Sequence, residues 1–179
     1  MLKRDLFKSE RLLFTGKRPE DQDVMASWQQ DSFYLRHVDT DIAFPAVPDV
    51  FNSDENRDNT HHSFRIRLLE DQRLIGFAAL HGIEWNNGTG SLAIGIGNPL
   101  DRGKGYGLEA LRLLLQYAFL ELNLHRVGLD VISYNEPAIR SYIRTGFREE
   151  GRVREAIYRE GKRYDRIYMG LLKEEWLAL

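Results

Sequence analysis

Arg102-Gly103-Lys104-Gly105-Tyr106-Gly107 joins an alternating segment, residues 91–97, to the strongest amphipathic run in the chain, residues 105–121. Glycines at 103, 105 and 107 accept positive φ and put no Cβ in the way of a ligand. The helix opening behind them presents unpaired N–H groups and the positive end of its dipole at the same spot. Such a turn cradles a phosphate or pyrophosphate, and Arg102 and Lys104 add two cations. The alternative is a flexible turn with one glycine packed on a sheet. Within the helix, Leu108, Leu111, Leu115 and Ala118 make a stripe that Ala110, Leu114 and Tyr117 broaden, which predicts a face buried on a sheet.

Working outward, residues 11–15, 64–69, 74–85 and 91–97 read as strands, with turns at 70–73 and 86–90. In residues 91–97 the bulky Leu92, Ile94 and Ile96 alternate with Ser91, Ala93, Gly95 and Gly97. The bare face implies either a close packing contact or a ligand lying along the strand. Pro19-Glu20-Asp21 starts a helix carrying Val24, Met25 and Trp28. Residues 31–60 read as short helices and loop, broken by Pro45 and Pro48. Downstream come a strand at 126–132, a helix at 135–145, and strands at 147–158 and 163–172 turning near Glu160-Gly161-Lys162. These elements predict one α/β (α+β) domain over 1–179. Its central sheet is mixed and mostly antiparallel, with one β-α-β crossover and flanking helices.

Composition limits the function. The chain has 179 residues, a net charge of −2 and no cysteine. One domain of this length buries a sizeable core. Disulfides and thiolate sites are excluded, and a cytoplasmic setting is expected. The absence of a long apolar run or leader-like start predicts a soluble, unprocessed protein with no membrane partner. The charge balance argues against a nucleic-acid partner. His61-His62 has no ligand spacing and reads as surface loop, so no metal is expected.

Three phosphate-binding patterns compete for the loop. The nucleoside-triphosphate pattern fails, because five residues separate Gly97 from Gly103 and Lys104 precedes a glycine. The dinucleotide fingerprint is met permissively by Gly105, Gly107 and Ala110, with Asp130 in the next strand, and a nicotinamide-dependent oxidoreductase is the alternative it implies. Residues 98–104 separate this turn from its strand, and only one β-α-β unit is present. The third pattern, [RQ]-x-x-G-x-[GA], is met by Arg102, Gly105 and Gly107. Further on comes Asn135-x-x-Ala138-Ile139-x-x-Tyr142-x-x-x-Gly146-Phe147. With both motifs the chain resembles the GNAT superfamily of N-acetyltransferases over roughly residues 64–172. The region from Leu12 to Thr40 is similar to the branch acting on ribosomal-protein N-termini and similar amines. In that branch position 103 is often tryptophan, and Gly103 departs from it.

The resemblance implies an acyl-CoA core over residues 90–147 that binds acetyl-CoA, with the pyrophosphate on residues 102–107 and the pantetheine arm at Asn135. It implies an oxyanion donor at a strand bulge among Ile94, Gly95 and Ile96, and Tyr142 beside the thioester sulfur. Physically, Asn135, Ala138, Ile139 and Tyr142 share one helix face, with Asn135 placed as N-cap. A cap and a half-buried aromatic explain the same two residues without function. A tyrosine with pKa near 10 stays protonated at pH 7 and suits a general acid. A non-catalytic acyl-CoA-binding module is the remaining alternative.

An acceptor amine has to arrive neutral, which costs roughly 4–5 kcal/mol for a lysine-like amine and about 1 for an α-amine. Glu84 and His81 are the candidate bases; their odd separation puts them on opposite strand faces, and Glu84 is favoured. Asp31, Asp39, Asp41, Asp49, Asp54, Glu55 and Asp58 crowd residues 31–60. They suit a cationic small-molecule or peptide amine if that segment covers the acceptor side. The arginines of the last two strands are interleaved with acids and read as salt-bridged surface. Oligomeric state stays open, a homodimer included.

Overall fold

In the computed structural model, which describes residues 5–45 and 59–179, the expected strands form one sheet. They are β1 (Leu12–Thr15), β2 (His62–Leu68), β3 (Leu74–Glu84), β4 (Thr89–Ile96), β5 (Arg126–Ile132), β6 (Arg148–Arg159) and β7 (Lys162–Leu172). The helices are α1 (Asp21–Trp28), α2 (Ser32–Val38), α3 (Tyr106–Gln116), α4 (Glu136–Arg144) and α5 (Lys173–Leu177). Strand order is β1-β2-β3-β4-β5-β7-β6. Every neighbouring pair is antiparallel except β4–β5. A parallel join needs a crossover, and α3 supplies it. The mixed, mostly antiparallel α/β sheet expected from the sequence is what forms.

The parallel join is short. β4 and β5 pair only at Thr89↔Arg126, Gly90↔Val127 and Ser91↔Gly128. Beyond that point β4 stays on β3 as far as Gly76↔Ile96, and β5 stays on β7 as far as Ile132↔Arg166. The two central strands therefore part and leave a V-shaped gap in the middle of the sheet.

Strand alternation decides what covers each face. Ile94 and Ile96 turn toward α3 and pack on the main core, in which Ala110, Leu114 and Leu115 are fully buried with Ile75, Leu80 and Val127. Gly95 and Gly97 turn toward α1 and α2. A Cβ on Gly97 would stand 1.9 Å from the Trp28 ring, and one on Gly95 would stand 2.7 Å from Phe77 and 3.3 Å from Val38. The bare face is thus a close packing contact, not a ligand track. Trp28, Met25, Tyr34, Leu35 and Leu74 form a second, smaller core there. The start of α1 is locked to β2 by a buried Asp21–Arg67 ion pair, and Arg67 also donates to Thr15 Oγ1 at 3.1 Å and the Gln72 carbonyl at 3.2 Å.

Some expectations change. The helix expected over 105–121 is α-helical to Gln116 and ends in a wider π turn, Tyr117–Glu121. α5 was not anticipated. His62 begins β2 and meets Trp85 and Tyr117 edge-on, so the histidine pair is only partly loop. Asp49, Asp54, Glu55 and Asp58 lie outside the described residues. Arginines of β6 and β7 do pair with acids, as in Arg152 with Glu149 and Asp165. Among the described residues no helix is long and apolar enough to cross a membrane, and no group of three or more His, Asp or Glu could hold a metal ion.

Candidate active site

The glycine loop is held from three sides. Ahead of it, Arg73 forks onto Asp101 at 2.6 and 3.0 Å, and this guanidinium holds the buried Asp101 carboxyl below its usual range. Behind it, Arg11 donates to the Lys104 carbonyl at 3.0 Å while its own backbone N–H and Nε both reach Glu109 at 2.7 Å. In the middle, Arg102 turns inward. Its guanidinium donates to the Ile96 carbonyl at 3.2 Å, to the Gly97 carbonyl, and to Asp31 at 2.9 Å. It lies over the rings of Phe33 and Tyr34. Arg102 therefore braces the loop rather than serving as the free cation expected from sequence, whereas Lys104 is exposed. Gly103 and Gly105 adopt φ of +74° and +84°, which bares the N–H groups at the start of α3.

From this loop a cleft of about 510 Å³ runs into the V. Its walls include Ile94, Gly95 and Ile96 of β4, Gly103, Gly105, Tyr106 and Gly107 of the loop, Asn135 and Tyr142 of α4, and Phe33 and His37 of α2. The sequence-predicted cofactor residues are therefore brought together, apart from the Lys104 side chain. The expected bulge among residues 94–96 is not there: β3 and β4 stay in register from Gly76↔Ile96 to His81↔Ser91. Gly97 donates to the Ile75 carbonyl at 2.9 Å. By antiparallel alternation the peptide groups of Ile94 and Ile96 then face away from β3, into the V. Strand parting exposes these donors without a bulge.

Asn135 caps α4 by accepting from the Ala138 N–H at 3.4 Å, and its amide donates to the His37 carbonyl at 3.2 Å. Two turns along, Tyr142 is 8% exposed and edge-on to Phe147. Burial pushes its pKa up to about 12, with the Asp130 carboxylate adding to the rise.

Glu84 is not part of this cleft. The bulge lies in β3, between His81 and Glu84, where Gly82 takes φ of +57°. The extra residue cancels the odd separation, so both side chains share one face rather than opposite ones. Glu84 sits at the closed end of the V, accepting from Asn87 at 2.6 Å, and lines a separate cavity that extends past Arg126 and Glu150 to Asp130. His81 stands opposite Ser91, which stands opposite Gly128. Asp130, two residues along β5, shares their face at the point where the strands part. Burial, with His61 adding, lowers the His81 pKa, against an opposing pull from Asp130. The electrostatic link between Asp130 and Tyr142 was missed from sequence, where Asp130 served only the dinucleotide alternative. Its place one β-to-α turn before Tyr142 was the available signal.

The family model described as an acetyltransferase (GNAT) domain matches residues 11–148. The chain belongs to the GNAT acetyltransferase family. This GNAT protein is 30% identical over 168 residues to the SPbeta prophage-derived uncharacterized N-acetyltransferase YokL of Bacillus subtilis, covering 93% of each chain. It is 38% identical over 109 residues to the putative ribosomal N-acetyltransferase YdaF of the same organism, covering 61% of this chain and 59% of YdaF. The spermidine N(1)-acetyltransferase of Vibrio cholerae is 27% identical over 168 residues, covering 93% and 90%. A crystal structure of spermidine N-acetyltransferase from that organism, with CoA and spermine, matches with a TM-score of 0.84 at 24% identity over 94% and 99% of the chains. The protein is thus an acyltransferase by family, and a single parallel pair in an antiparallel sheet leaves the dinucleotide alternative without support.

Proposed function

We propose that this GNAT enzyme acetylates the primary amine of a cationic acceptor, a polyamine or a peptide N-terminus, with acetyl-CoA as donor. One observation carries the reading: a single cleft joins the N–H-rich start of α3 to the buried Tyr142 phenol along the parted edge of β4. Residues 103–107 would take the pyrophosphate on backbone N–H groups, with Lys104 beside them. The outward Ile96 N–H and Ile94 carbonyl would hold the extended pantetheine arm as a sheet edge holds an added strand, leaving the Ile94 N–H free. Asn135 would fix the start of α4 beside it.

The bound thioester supplies an acetyl carbonyl open to attack by an amine. Charge developing on its oxygen meets the Ile94 N–H, a donor fixed in place before reaction. Tyr142, protonated at pH 7, gives its Oη proton to the departing sulfur as the carbon–sulfur bond breaks. On the other face of the sheet, Asp130 attracts the incoming ammonium. The ammonium gives one proton to solvent before its lone pair attacks; His81, neutral at pH 7, accepts the second, which the nitrogen loses once its bond to carbon has formed, and solvent returns a proton to Tyr142.

The cationic acceptor is supported by Asp130 at the gap, by Asp39 and Asp41 after α2, and by the acceptors in the names of the Vibrio cholerae and YdaF relatives. Lack of cysteine accords with a cytoplasmic setting. The test is acetyl-CoA-dependent release of free thiol across polyamines, small amines and peptide N-termini. Turnover with a cationic amine is expected; tight acetyl-CoA binding without turnover on any amine would leave a binding module. A heat-shift comparison should show acetyl-CoA at about a hundred times its Kd stabilising by about 2.7 kcal/mol. Stabilisation by NADPH alone would overturn the proposal.

A further inference from the structure

We infer that Asp31 is a positioning residue that couples the cofactor loop to the acceptor side of the gap, an inference resting on the acyl-CoA reading of the cleft. One Asp31 oxygen caps α2 by accepting from the Phe33 N–H at 2.9 Å, and the other takes Arg102 at 2.9 Å. The opposite end of α2 is tied to the other wall. The Tyr134 hydroxyl donates to the Arg36 carbonyl, and Asn135 donates to the His37 carbonyl at 3.2 Å. α2, roughly 10 Å long at 1.5 Å per residue, therefore bridges the end of β4 and the end of β5. The chain then continues to Thr40, whose hydroxyl accepts from Arg166 at 2.8 Å. Arg166 in turn lies 3.6 Å from Asp130.

A chain of contacts thus runs from the glycine loop through Arg102, Asp31, α2 and Thr40 to Arg166, whose Nε lies 3.6 Å from the acceptor carboxylate. α2 is held at both ends only when the walls of the V stand at one separation. A cofactor filling the V fixes that separation, so occupancy of the loop stiffens α2 and, through it, the acceptor face. Arg102, the first residue of the glycine motif, transmits the change instead of contacting phosphate. Asp31 is what it transmits through.

Hydrogen exchange with CoA as the ligand tests this without any acceptor. Asp31→Asn and Asp31→Ser keep an N-cap oxygen and remove the charge that holds Arg102. In the wild-type protein CoA should slow exchange at residues 103–108 and in α2 alike. In both variants protection of 103–108 should persist, while protection of α2 falls by about fivefold or more, the lower range of a site-to-site coupling. With an acceptor found by the amine screen, KM for that amine should rise by about fivefold while kcat and the CoA dissociation constant stay within about twofold. Wild-type protection of α2 in both variants overturns the inference, as does CoA affinity that falls in step with acceptor KM. No protection of 103–108 in the wild-type protein would remove the acyl-CoA reading first, and this coupling with it.

Discussion

Tyr142 on α4 and Asp130 on β5 are electrostatically linked: burial pushes the Tyr142 phenol up, the Asp130 carboxylate adds to the rise, and its pKa reaches about 12. A phenol so held carries its proton throughout the physiological range, as a donor to a leaving thiolate must. Tyr142→Phe should therefore lower kcat by more than about tenfold while leaving CoA affinity nearly unchanged, measured by steady-state thiol release and CoA titration. The same shift affects stability. The folded-state pKa lies above the unfolded value of 10.0, so the stabilising contribution is complete below about pH 10 and is lost as pH rises through about 12. Alkaline unfolding of Tyr142→Phe should lack that component, worth about 2–3 kcal/mol for a two-unit shift. A variant of wild-type turnover would remove Tyr142 from the chemistry.

Asp130, His81 and Glu84 share the face on which the amine is proposed to approach, but Asp130 and His81 stand where the strands part and Glu84 at the closed end of the join. Asp130→Asn and His81→Gln should each lower kcat/KM by roughly 10²-fold, a typical value for removing an acid–base group. Glu84→Gln should stay within about twofold, as a carboxylate remote from the reacting atoms would. Parallel kcat/KM measurements on one amine decide between them. A large loss in Glu84→Gln with none in the other two would restore the base expected from sequence.

Local signals were enough for the parts of this site that depend on local chemistry. The glycine turn, the α4 cap at Asn135 and the helix face bearing Tyr142 follow from spacing, because residues three, four and seven apart share a face whatever surrounds them. What could not be read depends on partners distant in sequence. Arg102 looks like a phosphate cation until Asp31, 71 residues away, is seen to hold it. The face of Glu84 was misjudged because one extra residue at Gly82 resets the alternation, and a lone glycine in a strand leaves the position of a bulge undetermined. The exposed peptide edge of β4 depends on where β5 leaves it, a matter of three-dimensional twist and not of either strand's residues.

Asp21 and Arg67 are both about 3% exposed in their side chains, so neither charge has water to fall back on. Arg67→Met leaves Asp21 without its counter-charge, and Asp21→Asn leaves Arg67 in the same state. Each should destabilise by about 3–5 kcal/mol, the range for breaking one side of a buried pair. The double replacement should cost much less than the sum, since it leaves neither charge stranded. Urea unfolding of the four proteins measures the coupling. Strict additivity would show that the pair is solvated more than its burial implies.

Gly97 and Gly103 lie on either side of Arg102 and should respond to alanine for different reasons. At Gly97 a Cβ would stand within 1.9 Å of the Trp28 ring, so α1 must move away from β4, at a cost of about 1–3 kcal/mol for overpacking. Arg102 keeps the Ile96 carbonyl and Asp31 as partners, so stability should fall while CoA affinity stays within about twofold. At Gly103 nothing lies within 4 Å, but φ is +74°. Alanine there should cost only the backbone strain of about 1–2 kcal/mol. A residue at 103 is open to solvent on its outer side, so size alone is no obstacle; tryptophan, frequent here in the related branch, should cost as little as alanine. Thermal melts of Gly103→Ala and Gly103→Trp should therefore agree within a few degrees. A much lower midpoint for the tryptophan variant alone would mean that the loop needs a backbone geometry different from the one it has here to carry that side chain.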